Sequence, residues 1–357
     1  MAIGLAMLSG LPAAALAAGY GLRIEAGTAG VAGTAGIPLA LYGTAPARCL
    51  PTLHRAVLDG VDLSIELDAA RTGCDARRMS PFGLRVDTAA AAGVPLLPGQ
   101  VYRVRVYLDE GGIASLIAFR LLDTSANASA PVPENGFWWS ETSPDMGAAA
   151  AGTGVSIEVQ DGRLALGLFG FGDDGHPTWS FGSVRMSGRS ARIDLVALEH
   201  GDPPFAPIGA KPSAEPAPRL EIEFLSPTRA RAWLVRSIDG HDSEVRAFTF
   251  GRSRFAAGPA ADAWTGTWVL VPDDAGEPRR FEFADAGAQD GDTIHLTDAT
   301  RGASLDCRLA PGTAHADFCT LSLGNAPLAD FDQVGLDRLD GRAADGNGRV
   351  RLLRVTR

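Results

Sequence analysis

Apolar and polar residues alternate along this chain with a period of two, in short runs from one end to the other. Val61-Asp-Leu-Ser-Ile-Glu-Leu67 and Val101-Tyr-Arg-Val-Arg-Val-Tyr107 are clear cases, and Pro38-Leu-Ala-Leu-Tyr42 and Gly83-Leu-Arg-Val-Asp87 are shorter ones. Successive side chains of a strand point to opposite faces, so each run reads as a strand with one buried face. Turn pairs such as Asp59-Gly60, Thr72-Gly73 and Pro98-Gly99 separate the runs. No stretch longer than twelve residues keeps a helical period. The fold class expected is all-β.

The spacing of these runs suggests an organisation. Short strands crowd residues 19–124 and predict an antiparallel β-sandwich of immunoglobulin-like build. Within it, Pro98-Gly99-Gln-Val-Tyr102 predicts a buried tyrosine with an anchored hydroxyl. The small, polar, Pro-bearing residues 125–134 read as a linker. An antiparallel meander or barrel-like unit is expected over 135–257. Asp161-Gly162, flanked by apolar alternation, is a strong hairpin signal, and Asp173-Asp-Gly-His-Pro177 is a second tight turn. Residues 258–357 form a further β unit, either separate or composite with 135–257.

The hydrophobic fraction of 46% against 21% charged residues is ample for real cores. A net charge of −10 argues against nucleic acid and anionic lipid as partners. All but one (Lys211) of the 32 basic residues are arginine, a bias that looks like a GC-rich bacterial genome rather than an array of anion clamps. Residues 1–18, MAIGLAMLSGLPAAALAA, are apolar, short and end in the small-x-small pattern of a signal-peptide cleavage site. No Lys or Arg precedes this stretch, so a true start upstream of Met1 is part of the expectation, and no cysteine for a lipid anchor follows it. No later apolar run reaches the length of a membrane span. The expectation is an exported protein, periplasmic or extracellular. Four cysteines agree with this: Cys49 and Cys74 lie 25 apart, Cys307 and Cys319 lie 12 apart, and local pairing is favoured. Zinc would want closer cysteine pairs and clustered histidine.

From Gly136 onward the chain carries a motif. Gly136, Trp138, Trp139, Gly152, Gly154, Glu158, Gln160, Asp174, Gly175, Pro177 and Trp179 match a G-x-W-W … G-x-G-x-x-I/V-E-x-Q … D-x-x-G-x-P-x-W repeat. This run resembles a repeat of uncharacterised exported β-strand proteins of proteobacteria, closely over about 50 residues. The later segments Leu220-Glu-Ile-Glu-Phe224, Arg231-Ala-Trp-Leu-Val235 and Asp337-Arg-Leu-Asp-Gly341 are similar to the downstream part of such proteins. The resemblance implies architecture and export, not a chemistry. The Ala-rich residues 147–151 depart from it.

Chemistry is thinly signalled. Trp138, Trp139, Trp179, Trp264 and Trp268 are candidate ligand platforms, because sugar-binding modules stack pyranose rings on such aromatics. Core packing is the competing reading for each. Adjacent Trp138 and Trp139 must point to opposite faces, and Trp179 with Phe181 is expected in the meander core. Gly27 to Gly36 lacks the Lys-Ser/Thr of a phosphate loop. His54, His176, His200, His241, His295 and His315 are dispersed without H-x-x-x-H spacing, and G-x-S-x-G is absent. Asp173-Asp174 and Asp345-Gly-Asn-Gly348 fall short of a calcium loop. No catalytic residue, metal or cofactor is assigned. The function expected is non-enzymatic, binding or cell-surface interaction with an unidentified ligand or protein partner, a glycan among them. The alternative is a secreted hydrolase using a carboxylate such as Glu158, or a carbohydrate-binding protein using exposed tryptophans.

Overall fold

The computed structural model describes residues 21–26, 37–69, 74–109, 112–124, 130–143, 151–199, 213–238, 241–254, 260–273, 277–346 and 348–356. The signal-peptide-like residues 1–18, the Gly-rich stretch 27–36, His200, Lys211 and most of the Ala-rich departure lie outside them. The described residues are nearly all β, and they divide into two compact units.

The first unit is Met1–Ala126 together with Val235–Val245. Its strands are β1 (Gly21–Ala26), β2 (Leu39–Ala47), β3 (Thr52–Asp59), β4 (Asp62–Asp68), β5 (Asp75–Val86), β6 (Val101–Asp109) and β7 (Ala114–Asp123). They form two sheets, ordered β1-β2-β5 and β3-β4-β6-β7. The alternating residues Leu63, Ile65 and Leu67 of β4 and Val104, Val106 and Leu108 of β6 are all buried in one core. One pairing departs from the antiparallel expectation. β4 and β6 run parallel, with Asp62 opposite Arg103. A parallel pair needs a crossover, and the chain makes it through β5 in the other sheet and a short helix, α1 (Thr88–Ala92). Asp87 caps that helix by accepting from the amides of Ala89 and Ala90, and Gly93 ends it in the left-handed region at φ 72°. Asp62 then accepts from both Arg103 and Arg105 on the outer face, so charge favours this register.

Tyr102 takes the place expected of it. Its ring is buried, and its hydroxyl accepts the Leu97 amide at 2.7 Å. Cys49 and Cys74 are disulfide-bonded. Asp242, from the Val235–Val245 segment, accepts the Phe119 amide at 2.8 Å and thereby caps a backbone donor of the edge strand β7.

The second unit, Asn127–Leu234 with Arg246–Arg357, holds two successive β rings. The first comprises β8 (Gly136–Glu141), β9 (Gly154–Gln160), β10 (Arg163–Phe171), β11 (Pro177–Arg185), β12 (Ser190–Glu199), β13 (Ser213–Ser226), β14 (Arg229–Ile238) and β15 (His241–Arg252). It is a closed barrel in chain order, with β15 pairing back onto β8. The expected meander is present from β8 to β11. At the β9–β10 turn both Asp161 (φ 49°) and Gly162 (φ 72°) have positive φ, the geometry that matches strand twist in a two-residue hairpin. Inward residues such as Trp138, Ile157, Leu166, Ile193, Ile222 and Phe250 fill the barrel as an apolar core.

The second ring is a half-barrel of nine strands: β16 (Gly266–Pro272), β17 (Arg279–Phe283), β18 (Asp285–Asp290), β19 (Thr293–Asp298), β20 (Ala303–Leu309), β21 (Ala316–Leu323), β22 (Ala326–Val334), β23 (Arg338–Ala343) and β24 (Arg349–Thr356). Its order is also the circular chain order, opened only between β17 and β18. Those two edge strands are consecutive and joined through the single residue Ala284, so the chain itself bridges the opening. The buried Asp298 carboxylate of β19 accepts the Glu282 amide of β17 at 2.9 Å and helps close the gap. Cys307 and Cys319 face each other directly on β20 and β21 and form the second disulfide, buried at both ends.

The two rings repeat one device. In the barrel, Gly136 (φ 128°) begins β8 and Trp138 follows two residues later, its Nε1 donating to the Glu134 carbonyl at 3.1 Å. In the half-barrel, Gly266 (φ 119°) begins β16 and Trp268 follows two residues later, its Nε1 donating to the Trp264 carbonyl at 2.8 Å. Each tryptophan is opposite an arginine of the closing strand, Trp138 facing Arg252 and Trp268 facing Arg354. The Arg354 guanidinium lies 4.8 Å from the Trp268 ring centroid and donates to the Ala263 carbonyl. Arg252 donates to the Asn135 carbonyl at 3.0 Å. In both rings the last strand is therefore tied to the segment just before the first.

Glu134 links the two rings. Its carboxylate accepts the Asp337 amide of the half-barrel at 3.1 Å, and burial raises its pKa above the ordinary 4.5 against the lowering effect of the Asp337 and Leu336 amides. Because the folded-state pKa is raised, this group's contribution to stability is fully present below 4.5 and is lost as pH rises through the folded value. Glu134→Gln keeps an acceptor for the amide and removes the titration. The variant is expected to gain on the wild-type protein as pH rises through that window, read as urea midpoints at a series of pH values from 4 to 8. Parallel midpoint curves for the two proteins would contradict it.

Candidate functional site

The outward face of β8–β11 carries most of the exposed aromatic surface of the barrel. Period-two alternation puts odd-numbered residues outside on β8, β10 and β11, and register brings them into rows. Trp179 is opposite Phe169, Phe169 is opposite Gly154, and Gly154 is opposite Trp139. Two residues along, Phe181 is opposite Gly167, Gly167 opposite Ser156, and Ser156 opposite Phe137. Phe171, opposite Pro177, extends the patch toward the next turn. Trp139 is 45% exposed, Trp179 50% and Phe171 59%.

The glycines on this face explain how the rings lie. A Cβ on Gly154 would stand 2.8 Å from the Trp139 ring, and one on Gly152 would clash with the Phe171 ring. These rings therefore reach down to backbone that only glycine leaves clear. Phe137 and Phe169 stack with centroids 5.8 Å apart, as do Trp179 and Phe181 at 6.1 Å. The Glu141 carboxylate borders the rings, over Gly251 of β15, which is opposite Trp139. On the other side charged and amide groups stand at Glu158, Gln160, Arg163 and Arg185.

The structure sorts the tryptophans. Trp138, Trp264 and Trp268 are buried, with their indole N–H groups donated to the carbonyls of Glu134, Gly335 and Trp264. None of the three presents a ring face to a ligand, which corrects their place among the platform candidates. Trp139 and Trp179 remain. The expectation that Trp179 and Phe181 sit in the core is also corrected: both are outside. The inward positions of β11 are Ser180, Gly182 and Val184, and a Cβ on Gly182 would stand 2.6 Å from Ile193 and 2.9 Å from the Asp194 carbonyl. β12 presses too closely there for a large side chain, so the rings take the other face. Trp179→Ala should accordingly change stability by less than about 1 kcal/mol. A fall in melting temperature as large as that of a core deletion would return Trp179 to the interior.

Among the described residues, Glu158, Glu134 and Asp174 do not come together as a reactive centre. Glu158 is exposed, accepts from Gln160 Nε2 at 3.1 Å and has Ala165 opposite it. Glu134, the carboxylate with the raised pKa, is bound to backbone amides and holds a turn. Asp174 caps its own turn by accepting the His176 amide at 3.0 Å. His315 Nε2 lies 3.0 Å from Glu141, joining half-barrel to barrel. Among the described residues no three His, Cys, Asp or Glu side chains gather as metal ligands, and no helix is long and apolar enough to cross a membrane. Phe137, Phe169 and Phe171 were not singled out by sequence reasoning, and Phe181 was expected in the core. The signal was available, as aromatic-x-aromatic pairs on three strands that share a parity. Comparison of the sequence with protein-family models and with curated proteins finds no match to either.

Proposed function

We propose that this chain is an exported, non-enzymatic binding protein acting at the cell surface or in the periplasm, and a relative of the proteobacterial exported β-strand proteins that its motif resembles. The observation that carries the reading is the six-ring outward face of β8–β11, built around glycines. Exposed aromatic patches of this kind serve binding, since a monomer gains nothing from leaving them in water. Two disulfides, one of them wholly buried, support an oxidising compartment. An immunoglobulin-like relationship of the N-terminal sandwich is supported by the anchored Tyr102 at the start of β6, while the parallel β4–β6 pair stands apart from that topology.

The test is co-sedimentation of the purified protein with cell-envelope material, alongside a panel of chromogenic ester, peptide and glycoside substrates. Saturable retention, lost in a Trp139→Ala/Trp179→Ala variant of unchanged melting temperature, is the expected result. Steady turnover of any substrate, or retention indifferent to both substitutions, would overturn the reading.

A further inference from the structure

We infer that the outer face of the half-barrel carries a second binding site, independent of the β8–β11 face, for a small zwitterion of the α-amino-acid class. A cavity of about 270 Å³ opens there, lined by Phe318 of β21, Asp330 and Asp332 of β22, Arg342 of β23 and the turn that follows it. Its volume is that of roughly nine waters, the size of one small amino acid.

The backbone makes this concavity. Phe331 is opposite Gly341 and Gln333 is opposite Asp340, so Asp332 is the extra residue of a β-bulge, a device that re-aims the side chain it carries. Gly341 permits the close approach, since a Cβ there would collide with the Asp330 carbonyl. Beyond Arg342 the chain folds back toward β22. The Ala344 amide donates to the Leu328 carbonyl and the Gly346 amide to the Ala343 carbonyl, both at 2.9 Å. Ala344 and Gly346 thereby become one wall.

An ion pair is missing where the register offers one. Asp330 and Arg342 are directly opposite on neighbouring strands, and opposite charges so placed attract. Elsewhere in the half-barrel arginines do find carboxylates: Arg308 with Asp317, Arg338 with Asp340 and Arg351 with Asp273. Asp330 instead turns to the far side, where it accepts from the Thr320 hydroxyl of β21 at 2.7 Å. Among the described residues, Arg342 and Asp332 pair neither with each other nor with a third side chain, although both line the cavity. The space between the charges is the cavity itself.

The layout of charge selects the ligand. Arg349 of β24 is opposite Arg342 on its other side, so positive charge gathers over β23 and β24 and negative charge over β22. A molecule with a carboxylate and an ammonium fits between them, the carboxylate on the Arg342 guanidinium and the ammonium on Asp330 and Asp332. Phe318, with the Arg308 guanidinium 5.6 Å from its ring centroid, gives the apolar part of the molecule a wall. A simple anion would meet the two aspartates, and a simple cation would meet the two arginines. An α-amino acid meets neither penalty.

The experiment titrates the whole chain at low ionic strength with glycine, leucine, phenylalanine, arginine and glutamate, following heat of binding. Whichever binds is compared with its analogues lacking one charge, which for leucine are isoamylamine, without the carboxylate, and 4-methylpentanoate, without the amine. At least one amino acid should bind, and each one-ended analogue should bind about tenfold more weakly or worse, the loss of a charge-assisted contact. Arg342→Gln and Asp332→Asn should each weaken binding by a similar factor with an unchanged melting temperature, since both side chains are exposed. Binding of none of these amino acids at millimolar concentration overturns the inference. So does a one-ended analogue that binds as tightly as its parent, or wild-type affinity in both variants.

Discussion

Replacing Trp138 or Trp268 with alanine is expected to destabilise its own ring by about 3–5 kcal/mol, the range for deleting a large aromatic from a core. Each indole is fully buried beside the closing strand and makes a hydrogen bond with a carbonyl that precedes the first strand. Removing it leaves a cavity and an unsatisfied carbonyl. Trp268→Ala also leaves Arg354, which is 5% exposed, over a void. Since 1 kcal/mol moves the melting temperature of a 150–250-residue unit by roughly 2–4 °C, a fall of about 6–20 °C is expected in calorimetry. Trp139→Ala, one residue from Trp138 and facing out, is the internal control, with a change within about 1 kcal/mol. Equal effects of Trp138→Ala and Trp139→Ala would overturn the assignment of faces.

A second large effect is expected at the β20–β21 disulfide. Cys307 and Cys319 close a short loop, which in the chain-entropy account is worth about 3 kcal/mol. Both sulfurs are also inside the half-barrel core with Leu305 and Leu321. The Cys307→Ala/Cys319→Ala protein should therefore melt about 6–12 °C below the wild-type protein. Burial adds a kinetic signature, because a thiol must reach the sulfur it attacks. In folded protein under mild dithiothreitol, peptide mapping should show Cys49–Cys74 opening first, since Cys74 is only partly covered. Equal rates of opening at the two bridges would contradict this.

Strands were the legible part of the sequence, for a physical reason. Period two is a property of the backbone, and any half-buried strand imprints it, as β4 and β6 do with Leu63-x-Ile65-x-Leu67 and Val104-x-Val106-x-Leu108. The disulfides were legible because local pairing within each β unit is the short-range solution. Three things were hidden. The helix α1 is five residues long, too short for a helical period, although Asp87 before it and Gly93 after it are cap residues that mark it. The parallel β4–β6 pair depends on which sheet β5 joins, and alternation within β5 is silent on that. The face of β11 was misread by taking its largest residues as inward. The deciding fact was the approach of β12 to Gly182, a tertiary contact. The site was half legible: Trp139 and Trp179 stood out as tryptophans, but the phenylalanines between them become one surface only through register. The repeated lock was visible at one end, in Gly136-Phe-Trp138 and Gly266-Thr-Trp268, while Arg252 and Arg354 wait at the far end of each ring.

That separation between the two halves of each lock bears on how the chain reaches its fold. Neither ring can shut until its last strand exists, since β15 must find β8 and β24 must find β16. The barrel and half-barrel are thus topologies of high contact order, in which the entropy of closing a long loop is met before the reward arrives. During synthesis the first six or seven strands of a ring are an open sheet with two bare edges, the state most exposed to wrong pairing. Arg252 and Arg354 sit on the strands that end this interval. Each brings a donor to a carbonyl ahead of the first strand, and Arg354 also brings its cation to the Trp268 ring face. Arginine at these two positions therefore acts on the order of events as well as on the finished structure, by making the final strand the one that the waiting tryptophan recognises.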